Sequence, residues 1–249
     1  MKKDSLAVLR LPERTRGELE HFVRQLEDIC QRNLLCVALY GSPVKGSCAA
    51  GSSELPVLVV VERLESGDMR ALLPPMDQAR RAALVRPLVL TARELRRSTD
   101  VMPLELLEAR QHYELLVGED LLQTIFISDE HLRLACEREA KRLVLRLRQL
   151  FLTQSGLRPA LAETVSSNYG LFLRLLSLAI ELGTMESPSD SEALLSAAER
   201  ALGLGRDTLL ELGRLRSDST IDRAEVLRLF ETFHSAAVRL ADYLDRLES

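Results

Sequence analysis

The residues best suited to chemistry in this 249-residue chain lie close together: Gly41-Ser42, then Lys45, then Glu54 and, two positions later, Pro56. Glycine lets backbone amides approach an anion, serine adds a hydroxyl donor, and a lysine beside them can pair with a phosphate. A tight turn without any ligand accounts equally well for Gly41-Ser42, and a solvated surface position for Lys45. Glu54 heads an apolar run, where its carboxylate can offer oxygen to magnesium. Alternate strand residues share a face, so Pro56 is its neighbour there. Proline supplies neither a side-chain ligand nor a backbone donor.

These residues need strands to hold them. Leu34 to Tyr40 is a short apolar run stopped by Gly41, and Leu55 to Val61 is a second, with Pro56 near its start, where a strand tolerates proline. Both read as buried on two faces. The Gly/Ser/Ala-rich stretch from Gly46 to Ser53 reads as the loop between them. Upstream, Thr15 with Glu18 fits a capping box, and Leu19, Phe22, Val23, Leu26, Ile29 and Cys30 recur at helical spacing, predicting a helix from Thr15 to Arg32. Downstream, a helix from Asp68 to Val85 is expected to bend or restart at Pro74-Pro75. A third strand over Pro87 to Leu90 and a short helix marked by Thr91 and Glu94 follow. The stretch Asp100 to Glu105 reads as the start of a strand, and Tyr113 to Val117, closed by Gly118, as another. Such alternation argues for an α/β first domain whose β-content ends near residue 127.

From Ser128 onward the pattern changes to long helices, with Leu132, Cys136, Leu143, Leu147 and Leu150 as an apolar stripe. Helices are expected near 129–154, 159–183, 190–203, 206–217 and 222–247, the last opening on a capping box of Asp222 and Glu225. Gly183 to Asp190 reads as a linker between helices, and Gly203-Leu204-Gly205 as a helix stop rather than a dinucleotide motif. The division is therefore a domain over 1–127 and a helical bundle over 128–249.

Composition bounds the function. A net charge of −4 gives no blanket attraction to nucleic acid or to anionic lipid. Arg138, Arg142 and Arg146 repeat every fourth position and could face phosphates, but Glu137 and Glu139 among them favour a solvated face. No aromatic residues interleave with that stripe, which argues against nucleic acid as a partner. Cys30, Cys36, Cys48 and Cys136 show no paired metal-ligand spacing and read as reduced thiols. His21, His112, His131 and His234 are too scattered in sequence to argue a metal trio or a nucleophile–base pair. No apolar run approaches the ~20 residues of a membrane span, and no apolar leader follows Met1-Lys2-Lys3, so the expectation is a cytoplasmic protein with no membrane partner.

The run Val37-Ala38-Leu39-Tyr40-Gly41-Ser42, the spacing to Glu54 and the strand Leu55 to Val61 resemble the active-site signature of the nucleotidyltransferase superfamily. The stretch from Asp100 to Glu105 and the sequence Tyr113-Glu114-Leu115-Leu116-Val117-Gly118-Glu119-Asp120 are also similar to wording common among bacterial members. The likeness spans roughly residues 15 to 120. Members of the kanamycin nucleotidyltransferase type join such an α/β half to a helical half, while minimal nucleotidyltransferases resemble the first half. The resemblance implies an α+β fold: a mixed sheet with flanking helices, followed by an all-α helical bundle.

In that superfamily the strand after Gly-Ser carries two aspartates one residue apart, which hold the metals that position a nucleoside triphosphate. By that likeness Gly41, Ser42 and Lys45 are nucleotide-binding candidates, Glu54 fills the first acid slot, and Pro56 the second. Asp100 or Glu105 would supply the third acid if the protein is active; a cap or surface charge explains each as well. Two-metal chemistry needs bridging carboxylates, and Glu54 alone would hold at most one Mg²⁺, weakly. The expectation is therefore a degenerate nucleotidyltransferase fold, a pseudoenzyme serving nucleotide binding, regulation or protein interaction, including self-association. One alternative is an active enzyme transferring a nucleotide to a small molecule, protein or RNA through Glu54 with Asp100 or Glu105. The other is a structural partner in a bacterial two-protein, toxin–antitoxin-like module.

Overall fold

The computed structural model describes residues 11–44, 54–83, 85–154, 158–214 and 223–247. The expected loop from Gly46 to Ser53, Lys45, Cys48 and Asp222 lie outside the described residues. The chain forms two compact units, Met1–Ser128 and Asp129–Ser249.

In the first unit, helix α1 (Glu13–Cys30) precedes strand β1 (Leu34–Tyr40), and β2 (Leu55–Val61) follows. Helix α2 (Ser66–Ala83) leads to β3 (Val85–Thr91), and the short helix α3 (Ala92–Arg97) to α4 (Pro103–Gln111) and β4 (Tyr113–Gly118). The strands form one mixed sheet in the order β3-β2-β1-β4. Strand β1 pairs antiparallel with β2 and β4, whereas β2 and β3 run parallel, joined by the crossover helix α2. Pro87 sits in β3 without breaking the ladder because β3 is an edge strand.

Every residue of β2 is buried, so both faces of the sheet are covered. Leu55, Val57, Val59 and Val61 join Val37, Leu39 and Val85 in a core with Leu19, Phe22, Val23 and Leu26 of α1 and Leu72 and Ala79 of α2. Helix α3 meets β2 and β3, and α4 meets β1. Those two helices take the second face, on which Cys36, Ala38, Leu58 and Val60 are buried.

Three local expectations are corrected. Helix α1 begins at Glu13 after Pro12, which offers no side-chain cap, so Thr15 and Glu18 lie inside the helix rather than forming a capping box. Helix α2 does not restart at Pro74-Pro75, which lie inside one helix from Ser66 to Ala83. Those prolines remove two intrahelical donors, a loss offset by burial of Leu72 and Ala79 on either side. Residues 100–105 are not a strand: a turn leads into α4 with Pro103 at its first position, where proline's fixed φ suits a helix start. The expected short helix at Thr91 is present as α3, with a capping box in which Thr91 and Glu94 each satisfy the other's backbone amide.

The second unit contains α5 (Asp129–Gln154), α6 (Arg158–Thr184), α7 (Ser191–Leu202), α8 (Arg206–Arg214) and α9 (Arg223–Arg246). Helices α5, α6 and α9 pack on one another. Phe172 of α6 meets Phe233 of α9 edge to face at 5.3 Å, and Phe151 of α5 stacks on Phe230 of α9 at 5.5 Å. The Tyr169 hydroxyl donates to the Leu209 carbonyl at 2.6 Å, tying α6 to α8. Asp190 caps α7 by accepting from the Ala193 amide at 2.8 Å, and Gly203 ends it in the left-handed region at φ 64°. No described helix is long and apolar enough to cross a membrane.

Burial pushes the Cys36 thiol up to about 11 and the Cys136 thiol up to about 12. The folded state therefore keeps these protons more tightly than the unfolded chain does. The associated stability is complete below the ordinary thiol value of 9.0 and declines as pH rises through the folded values. Alkaline titration of the thermal midpoint is expected to fall between roughly pH 9 and 12. A Cys36→Ala, Cys136→Ala double variant with an unchanged alkaline slope would contradict this assignment.

Candidate functional site

Strand β1 delivers the chain to Gly41, which adopts φ 77°. Its amide donates to the His112 carbonyl at 2.8 Å, and its carbonyl accepts from the Val44 amide at 3.1 Å. Gly41 is buried and Ser42 exposed in the turn that follows. A β-carbon on Gly41 would stand 3.2 Å from Glu108 Oε1 and 3.6 Å from Pro56 Cγ. Glycine is thus favoured here by backbone conformation, with the tip of the Glu108 side chain lying against it. The anion that approaches Gly41 is the chain's own Glu108.

Glu108 comes from the second turn of α4 and was not among the acids singled out by the sequence. Asp100 is exposed in the turn before α4, and Glu105 is exposed in the helix's first turn. Glu108 is half-buried, one turn further on. A hint was available once α4 is read as a helix, because Glu105 and Glu108 are three apart and therefore neighbours on its surface.

The register of the sheet decides the rest of the face. Pro56 of β2 pairs with Arg86 of β3 in the parallel ladder, so the two side chains point the same way. Glu54 lies two residues before Pro56 on that side, and its Oε2 is 3.5 Å from Arg86 Nε. Both side chains are largely exposed, at 67% for Arg86 and 63% for Glu54. Along this edge the face therefore offers a carboxylate, a proline ring and a guanidinium. Among the described residues no group of three or more His, Cys, Asp and Glu side chains is placed to hold a metal ion. Glu54, Asp100 and Glu105 thus do not assemble into a ligand set. A guanidinium next to Glu54 opposes a divalent cation by like charge, so this donor set does not fit magnesium.

A solved structure similar to this chain is that of spectinomycin adenyltransferase AAD(9) from Enterococcus faecialis with ATP and spectinomycin. The two superpose with a TM-score of 0.60 at 14% identity, over 92% of this chain and 99% of that one. The fold is nucleotidyltransferase-like. No family model and no curated protein matches by sequence. The nucleotidyltransferase-like fold carries the four-stranded mixed sheet with flanking helices and the helical region after it.

Outside the sheet edge, the arginine stripe of α5 is exposed. Arg142 donates to Glu139 at 2.6 Å and Arg146 to Asn168 Oδ1 at 3.4 Å. Glu137 takes up Arg133 at 3.1 Å and Lys141 at 2.6 Å. A concavity of about 330 Å³ between α5 and α9 is lined by Arg148, Phe151, Leu152, Phe230, Glu231 and His234. Within it Arg148 Nε donates to His234 Nε2 at 3.2 Å, and burial together with the Arg148 charge lowers the His234 pKa.

Proposed function

We propose that this protein is a nucleotidyltransferase-fold pseudoenzyme whose first unit binds a nucleotide without transferring it. The single observation that carries this reading is the β2–β3 face, where Glu54, Pro56 and Arg86 stand together. Two-metal transfer requires carboxylates that hold ions ~3.5–4 Å apart. Proline removes one ligand, and arginine engages the other. Retention of nucleotide is supported by a structural neighbour solved with ATP and by the exposed Ser42 in the turn that ends β1, whereas the Gly41 amide is taken by the His112 carbonyl. Lys45 remains a phosphate-binding candidate on the sequence argument alone. A nucleotide held without turnover suits a regulatory or protein-interaction role.

Titration calorimetry with ATP, GTP, CTP and UTP, with and without magnesium, tests the binding half. A saturable signal with at least one nucleotide is expected. Incubation with labelled triphosphates and magnesium tests the catalytic half, and no acceptor is expected to become labelled. Transfer of label would end the pseudoenzyme reading. Should no nucleotide bind, the fold serves as a scaffold, as in a two-protein module.

One observation favours a second reading. Glu108 lies beside Pro56 and Gly41, so an active enzyme would draw its missing acid from α4 through Glu108 rather than through Asp100 or Glu105. In that case Glu108→Ala and Glu54→Ala would each abolish labelling, while Asp100→Ala would not.

A further inference from the structure

We infer that Arg86 takes the place of the divalent cation in this site, so that the protein binds the phosphates of a nucleoside triphosphate in its metal-free form and magnesium weakens that binding. The inference rests on the nucleotide-binding reading above and goes beyond it by naming the cation and the sign of the magnesium effect.

Three features support it. The parallel register sets Arg86 beside Pro56, on the same face as Glu54. Its side chain is 67% exposed, so most of its five donors are available to a ligand. Finally, its contact with Glu54 is a single long approach of 3.5 Å between two exposed groups. Exposed pairs of that kind are weak, so exchanging the carboxylate for a phosphate costs little. Arginine's planar fork matches phosphate oxygens in a bidentate way, which a point charge does not.

Magnesium changes the balance. A free triphosphate carries more negative charge than its magnesium complex, and a magnesium ion held on the phosphates is repelled by the guanidinium that should contact them. In an acid-pair site the same ion is what joins phosphate to protein. The two arrangements therefore respond oppositely to magnesium and to loss of Glu54. Where Glu54 is a metal ligand, removing its charge weakens nucleotide binding. Where Glu54 competes for Arg86, removing its charge strengthens it.

The experiment is calorimetry on the full chain with ATP in EDTA, with ATP in excess magnesium, and with adenosine, using wild type, Arg86→Ala, Arg86→Lys and Glu54→Gln. Loss of a charge-assisted contact to phosphate is expected to weaken ATP binding in EDTA about tenfold or more in Arg86→Ala. Arg86→Lys should recover part of that loss, and adenosine, lacking phosphate, should bind all four proteins alike. Glu54→Gln should bind ATP more tightly than wild type, and magnesium should loosen the wild-type complex. Both positions of substitution are exposed, and matching thermal midpoints check that the fold is intact. Unchanged ATP affinity in Arg86→Ala, weaker binding in Glu54→Gln, or tighter binding with magnesium each overturns the role of Arg86 while leaving nucleotide binding in place. No ATP binding under any condition overturns both.

Discussion

Gly118→Ala is expected to destabilise the sheet unit by about 2–5 kcal/mol, the sum of a left-handed backbone cost and an overpacking cost. Gly118 ends β4 at φ 86°, and a β-carbon there would lie 1.9 Å from the Leu35 carbonyl oxygen and 2.7 Å from its carbon. The obstacle is backbone, not the tip of a flexible side chain, so it cannot swing away. That carbonyl is also held in place, because the Glu119 amide donates to it at 2.9 Å. Relief would require parting β1 from β4 where Cys36 pairs with Gly118, next to an irregularity between Val37 and Ala38. Folded domains are stable by only ~5–15 kcal/mol, so this one methyl group removes a large share. Urea denaturation followed by circular dichroism measures it. A variant within about 0.5 kcal/mol of wild type would show that the strand end repacks freely.

Phe172→Ala is expected to cost the helical unit about 3–5 kcal/mol, the range for truncating a fully buried aromatic ring. Phe172 has no exposed surface, and its edge contact with Phe233 joins α6 to α9. Loss of the ring leaves a cavity where two of the three main helices meet, and also removes an aromatic pair interaction. Phe172→Leu keeps most of the volume and should cost less than about 1.5 kcal/mol. Chemical denaturation of both variants checks the ordering. If the alanine variant proved no less stable than the leucine variant, burial of this ring would not be what holds α6 to α9.

The contrast between these sites and the sheet edge is informative about function. Gly118 and Phe172 are constrained by close packing, and their variants report stability. Glu54 and Arg86 are exposed, bury little, and contribute almost nothing to the fold. A solvent-facing cation paired with Pro56 across the β2–β3 ladder has no evident structural task, which suits a ligand group.

Much of the architecture was legible from local pattern. The apolar runs at 34–40 and 55–61 became β1 and β2 with those boundaries, and the long helix expected over 129–154 is α5. Thr91 with Glu94, and Gly203, marked helix ends correctly, because capping is a contact between residues close in sequence. Local pattern failed where it was ambiguous. Helix α4 buries Leu104, Leu106, Leu107 and Ala109, nearly all round, so its apolar residues lack a helical stripe and residues 100–105 looked like a strand. The resemblance put the third acid at Asp100 or Glu105, while the carboxylate that packs against Gly41 is that of Glu108, from this misread helix.

Residue order alone was enough to place Pro56 on the same face as Glu54, since spacing along one strand decides which side chains share a face. It was also enough to place the helices and most strands, because amphipathic period and caps are short-range properties. Which groups surround Pro56 depended on tertiary structure. The pairing of Pro56 with Arg86 follows from a parallel ladder across a helical crossover, and the approach of Glu108 to Gly41 from the docking of α4 on β1. Both join residues tens of positions apart, whose meeting is set by how whole elements pack and not by any preference of the neighbouring residues.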